Sequence, residues 1–300
     1  MEENKKEKNY SISVSLVLAA VILGGAWLYI NSNKNTAVSP ADNNSIAQNA
    51  VAEENTPPAG GAELLVRWGD LGRKMVDAGV IDAKKFEEVY ANSGGLDEES
   101  KKLLYAGDNG NLKITEKNAG VVLNLLWALG LGNKNEILDS GPMKDPRYGG
   151  AGNFASTGGW TIAKGNAMEH YSLHPFIILT KEQEELVKRV SQNIYRPCCG
   201  NSTYFPDCNH GMAMLALLEL MASQGAGEDQ MYSAALVVNS YWFPEQYATI
   251  AKYFSQQGVP WDKVDSKKAL AADVSSSAGY QNILSGIQPV QRQSGGGCGV

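Results

Sequence analysis

AGVVLNLLWALGL, running from Ala119 to Leu131, is apolar nearly all round. A helix with one wet face breaks such a run with polar residues every three or four positions, so this stretch predicts a helix enclosed on all sides. It is too short to cross a bilayer, which needs about 20 residues. It reads instead as the central helix of a globular body, ended by Gly132. A second buried helix is predicted from Met212 to Ala222. Helix packed on helix is the expected architecture, and the fold class is all-α.

Amphipathic segments surround this pair. Leu64, Leu65, Trp68, Leu71, Gly72, Met75 and Val76 recur at three- and four-residue steps and predict one helix face ending at Gly79. Asp82 is placed to cap a helix through Tyr90, with Phe86, Val89 and Tyr90 facing inward. Asp97, Glu98 and Glu99 load the start of a third helix with negative charge, which suits the dipole. Asp108-Asn109-Gly110-Asn111 is a turn without the ligand spacing of a calcium loop, and Leu112-Lys113-Ile114 alternates like a short strand. Thr180 and Gln183 form a capping box opening a helix through about Ile194. Helices follow over Glu228–Ser240 and from Pro244 to Gln257, with Pro244 at the first helical position. After Trp261 the pattern fades.

Ser11 to Ile30 (SISVSLVLAAVILGGAWLYI) carries no charge. At ~1.5 Å rise per residue it is about 30 Å long, the thickness of a bilayer's hydrocarbon layer. Trp27 and Tyr29 fall at its end, and Lys5, Lys6 and Lys8 precede it, so an uncleaved transmembrane anchor with its N-terminus in the cytoplasm is expected. The chain then divides into a cytoplasmic N-terminus (1–10), a transmembrane helix (11–30), a flexible stalk (31–61), a multi-helix extracytoplasmic domain (62–286) and a Gly-rich tail (287–300). The stalk is expected to stay disordered because its Asn, Ala, Ser and Pro offer little apolar surface to bury. A Gly-, Pro- and Ser-rich stretch at 139–165 is a candidate sub-boundary. The net charge of −6 gives no broad basic surface, so nucleic acid is not an expected partner. The membrane is the one partner that the sequence points to.

The chemistry concentrates in one loop, Tyr195-Arg-Pro-Cys-Cys-Gly-Asn-Ser-Thr-Tyr-Phe-Pro-Asp-Cys-Asn-His-Gly211. Cys198, Cys199, Cys208 and His210 lie between two helices, with Pro197, Gly200, Pro206 and Gly211 keeping the segment irregular. Three thiols and an imidazole are a complete tetrahedral set for zinc. Thiolates also suit Cu(I), with Met212, Met214 or Cys298 as auxiliary donors. The spacing C-C-x8-C-x-H lacks the C-x2-C knuckle of common zinc motifs. Two alternatives stand beside metal binding. A disulfide from Cys208 to Cys198 or Cys199 would staple a helical interaction domain, and a thiol–disulfide oxidoreductase would use Cys198 or Cys199 as nucleophile. His170 and His174 lie four apart beside Glu169 and read as a satisfied pair at a helix end. HExxH, GxSxG and phosphate-loop motifs are absent, and no catalytic residue is assigned.

Pro197-Cys198-Cys199-Gly200 and Asp207-Cys208 resemble the PCYCGC-motif family of bacterial exported proteins, in which closely spaced cysteines follow a proline and a later Asp-Cys pair precedes a helix. The segment to Tyr232 is also similar to the membrane-anchored thiol reductase subunit of cytochrome c maturation, where a cysteine loop leads into a helical hairpin. That family's C-x2-C pair is missing, because Cys198 and Cys199 are adjacent. Both likenesses imply an exported cysteine site of metal or redox character.

Overall fold

Residues 56–290 are described by the computed structural model of the chain. The Ser11–Ile30 segment, the stalk up to residue 55 and the tail from residue 291, with Cys298, lie outside the described residues. Among the described residues no helix is long and apolar enough to cross a membrane.

The described chain is mainly helical, as expected, with one small sheet added. The order is β1 (Ala62–Arg67), α1 (Leu71–Ala78), α2 (Ala83–Ala91), α3 (Glu98–Tyr105), β2 (Asn111–Ile114), α4 (Ala119–Gly132) and α5 (Glu136–Ser140). Short 3-10 turns and α6 (Ala155–Gly158) lead to α7 (Lys181–Ser191), α8 (Asn209–Ser223), α9 (Glu228–Trp242) and α10 (Pro244–Gln256). Three short helices close the body: α11 (Ser266–Ala269), α12 (Ala272–Ser275) and α13 (Ser277–Gly286).

The enclosed pair is α4 and α8. Every residue of α4 but Gly120 is buried, and every residue of α8 but Ser223. Each fully buried Leu contributes roughly 2 kcal/mol of transfer free energy, so these two helices supply much of the driving force for folding. Their backbones meet at Gly130, where an added Cβ would overlap the carbonyl oxygen of Met212. That contact seats the first turn of α8 on the middle of the core. Gly130→Val should therefore force the helices apart and lower stability by about 2–3 kcal/mol, in the range of overpacked cores. Chemical denaturation of the variant checks this, and a loss under about 0.5 kcal/mol, the range of surface changes, would show that the contact does not matter.

The expected helix starts hold, and Asp97 proves to be a cap as well. Asp82 accepts from the backbone N–H groups of Lys84 and Lys85, Asp97 from that of Ser100, and Thr180 with Gln183 forms the reciprocal capping box. The first expected helix does not hold over its whole length. Residues 62–67 form β1, antiparallel to β2, with Leu64 opposite Leu112. Leu64, Val66 and Trp68 are buried while Leu65 is 75% exposed, a period of two rather than 3.6. Strand β2 offers a partner for that face, and the helical period applies only from Leu71 to Ala78. The fold also begins before Ala62, since Thr56 and Pro57 are buried and Tyr241 Oη–H donates to the Pro58 carbonyl.

The irregular 139–165 stretch is built into the body. Trp160 is buried, its indole N–H donates to the Val80 carbonyl at 2.8 Å, and its ring lies edge-on to Trp127 at 4.9 Å. Ser156 N–H donates to the Asp207 carbonyl at 3.1 Å, tying this stretch to the cysteine loop.

Candidate functional site

Three devices turn the cysteine loop inward. Arg196 to Cys199 is a tight turn, with Cys199 N–H donating to the Arg196 carbonyl at 3.3 Å. Pro197 takes the second position, where its fixed φ is favoured. Helix α13 clamps the loop, since Ser277 N–H donates to the Cys199 carbonyl at 2.9 Å. Helix α8 begins earlier than its apolar run suggests. Cys208 is its N-cap, its sulfur accepts from Gly211 N–H at 3.4 Å, and His210 lies in the first turn. The apolar run from Met212 alone predicts both residues ahead of the helix. The thiol serves as the cap that an Asp or Ser usually supplies.

The four expected ligands come together. Sγ of Cys199 lies 3.1 Å from that of Cys198 and 3.2 Å from that of Cys208, and the third edge is 3.8 Å. A ring nitrogen of His210 lies within 4.8 Å of the Cys198 and Cys208 sulfurs. The imidazole is buried against Trp242 and Phe243, with ring centroids 5.6 and 4.5 Å away. Its Nδ1 is buried without a hydrogen-bond partner among the described residues. Thiol sulfurs and an imidazole nitrogen this close are a donor set that fits a soft cation. The cysteines are unbonded, and every sulfur pair lies beyond the ~2.05 Å of a disulfide.

Beneath the sulfurs lies a residue that the sequence did not flag. Arg196 is buried, and its three nitrogens are all engaged. Nε–H donates to Cys208 Sγ at 3.1 Å, Nη1–H to the Asn201 carbonyl at 3.0 Å, and Nη2–H to Asp207 Oδ1 at 2.9 Å. Asn201 completes the carboxylate by donating to Asp207 Oδ2 at 2.7 Å. Asp207 lies close enough to Cys199 and Cys208 to join a metal set, but both of its oxygens are committed to these donors. Gly211 makes room for the guanidinium, because a Cβ there would fall 2.6 Å from Arg196 Cζ. One arginine next to a proline in a loop ordinarily faces water, so residue type alone hid this role.

The surroundings sort the thiols. Hydrogen bonds from the Cys198 and Cys199 thiols, the guanidinium of Arg196 and His210 hold the Cys208 thiol well below its usual range, against the pull of burial. The Cys198 thiol is raised by its hydrogen bonds to Cys199 and Cys208 and by burial. Cys199 is lowered by its bond to Cys198, but its bond to Cys208 and burial outweigh that and push it up to about 12. No family model matches this chain, and no curated protein or solved structure matches it either.

The other histidines lie apart from it. His170 and His174 sit after a 3-10 turn rather than on a helix. His170 Nε2–H donates to the Lys164 carbonyl at 2.9 Å, so its Nδ1 accepts from His174 Nε2–H at 3.1 Å. Each imidazole is satisfied by the other or by backbone, in keeping with the expected structural role.

Proposed function

We propose that this protein binds one soft metal ion, zinc or copper, through Cys198, Cys199, Cys208 and His210. The observation that carries the reading is the triangle of sulfurs 3.1 to 3.8 Å on edge, with a ring nitrogen of buried His210 within 4.8 Å of the Cys198 and Cys208 sulfurs. Zinc–sulfur bonds of about 2.3 Å imply sulfur–sulfur edges of about 3.8 Å. The Cys198–Cys208 edge already has that length, and the two shorter edges at Cys199 open by roughly 0.6–0.7 Å to reach it. Arg196 supplies the N–H···S bond to a ligating thiolate that orients it and offsets its charge. The charge-free Ser11–Ile30 stretch behind Lys5, Lys6 and Lys8 supports placing the site on the outer side of a membrane.

Elemental analysis of the full chain purified without chelator, with a thiol count on the same sample, tests the reading. About one equivalent of zinc or copper per chain is the expected result, with Cys208→Ser losing it. Loss of one of four ligands should weaken binding by about 3 kcal/mol, a quarter of the free energy typical of structural zinc. Absence of metal, with two thiols consumed, would replace this reading with a disulfide staple.

A further inference from the structure

The four ligands are held unequally. Cys208 is fixed on α8, with Gly211 N–H and Arg196 Nε–H on its sulfur. His210 follows on the same helix, buried against Trp242 and Phe243. Cys199 is pinned through both backbone groups, its N–H to Arg196 and its carbonyl to Ser277. Cys198 differs in two respects. Its backbone makes no hydrogen bond among the described residues, and it is the exposed cysteine of the cluster. It occupies the corner of the Arg196–Cys199 turn, where the side chain swings on a single residue.

We propose that the ion enters and leaves by ligand exchange with a second thiolate-bearing molecule, and that Cys198 is the ligand which changes partners. The inference rests on the soft-metal reading above. Cys199, Cys208 and His210 keep hold of the ion from the buried side while the outer position turns over. Soft ions prefer thiolate to water, so an incoming thiol takes that position without the ion passing through a hydrated state. In the exchange the metal–Sγ bond of Cys198 breaks and a bond from the metal to the incoming sulfur forms. The proton of the incoming thiol ends on Cys198 Sγ, and the ion keeps its oxidation state. A site built only to brace the fold is closed around its ion, whereas this one has an exposed residue, Cys198, among its ligands. The partner is a small thiol or a cysteine-bearing protein, and the two share this chemistry.

The test uses the full chain with Cys298→Ser, so that only added thiol is read, loaded with Cu(I). Release is followed against glutathione, against a peptide bearing Cys-X-X-Cys at equal thiol concentration, and against bathocuproine disulfonate as a nitrogen ligand. The expected result is a release rate that rises with thiol concentration and stays flat with bathocuproine. Cys198→Ser in the same background should hold the ion more weakly, as loss of any ligand does, and lose the thiol dependence, while Cys199→Ser should weaken binding and retain the dependence. Faster release to the peptide supports a chelating protein partner, and equal rates support a small thiol. A rate indifferent to thiol, a Cys198→Ser protein that exchanges as before, or one that holds no ion would overturn the proposal. Failure of the unsubstituted chain to take up any ion would instead remove the metal reading beneath it.

Discussion

Glu219→Gln should stabilise the protein by on the order of 4 kcal/mol at pH 8 and by almost nothing at pH 4. Glu219 lies in the middle of α8 and is fully buried. Oε2 accepts from Asn133 Nδ2–H at 2.9 Å, and Oε1 has no partner among the described residues. Burial pushes its pKa up from 4.5 to about 8, the hydrogen bond from Asn133 opposes that rise, and nearby Glu184 adds to it. Between those two values the folded protein holds a proton that the unfolded chain has released. Stability is therefore full below about pH 4.5 and falls by about 1.4 kcal/mol per pH unit until about pH 8. Glutamine keeps the shape and an acceptor for Asn133 and has no proton to lose. Urea unfolding of both proteins at pH 4, 5, 6, 7 and 8 reads the effect as a widening gap between them. Parallel curves across that range would mean that the carboxylate is ionised in the fold.

Arg196→Met should cost about 3 kcal/mol of stability, the lower end of the range for breaking a buried ion pair. The lower end applies because the partner carboxylate of Asp207 keeps 21% of its side chain exposed and can still draw on solvent. The same change removes the Nε–H that Cys208 Sγ accepts. Metal affinity should fall by about 10–100-fold, as it does when a group orienting a ligand is lost. Removing the carboxylate as well, in an Arg196→Met, Asp207→Leu double variant, should restore part of the stability and none of the affinity. Denaturation and competitive metal titration separate the two effects. If the single variant retained full affinity, Arg196 would be a structural residue alone. Gly211→Ala should resemble it, because the new methyl group occupies the space of the guanidinium.

The helical body was legible because its signals are local. Thr180 with Gln183, Asp82, and Asp97 before Glu98 and Glu99 mark helix starts through hydrogen bonds spanning three residues or fewer. The enclosed helices announced themselves by the near absence of charge. The Leu64–Trp68 stretch fits both periods in one dimension. Only its pairing with Asn111–Ile114, on a strand distant in the chain, made it a strand. Helix α13 escaped notice because Ser277–Gly286 buries only Gly279, Tyr280 and Ile283, too few apolar positions to show a period.

By itself the sequence determined that the body is helical, that Ala119–Leu131 and Met212–Ala222 lie at its centre, and that Cys198, Cys199, Cys208 and His210 are the candidate ligands. Residue type and short-range spacing carry that information. The tertiary structure alone decided that adjacent cysteines converge on a third, that Cys208 caps α8, and that Arg196 lies buried under the sulfurs. Each of these depends on contacts between segments distant in the chain: Ser277 on the loop, Met212 on Gly130, and Trp242 with Phe243 on His210. Convergence of side chains is a property of packing, and packing is set only when the helices that carry them have closed on one another.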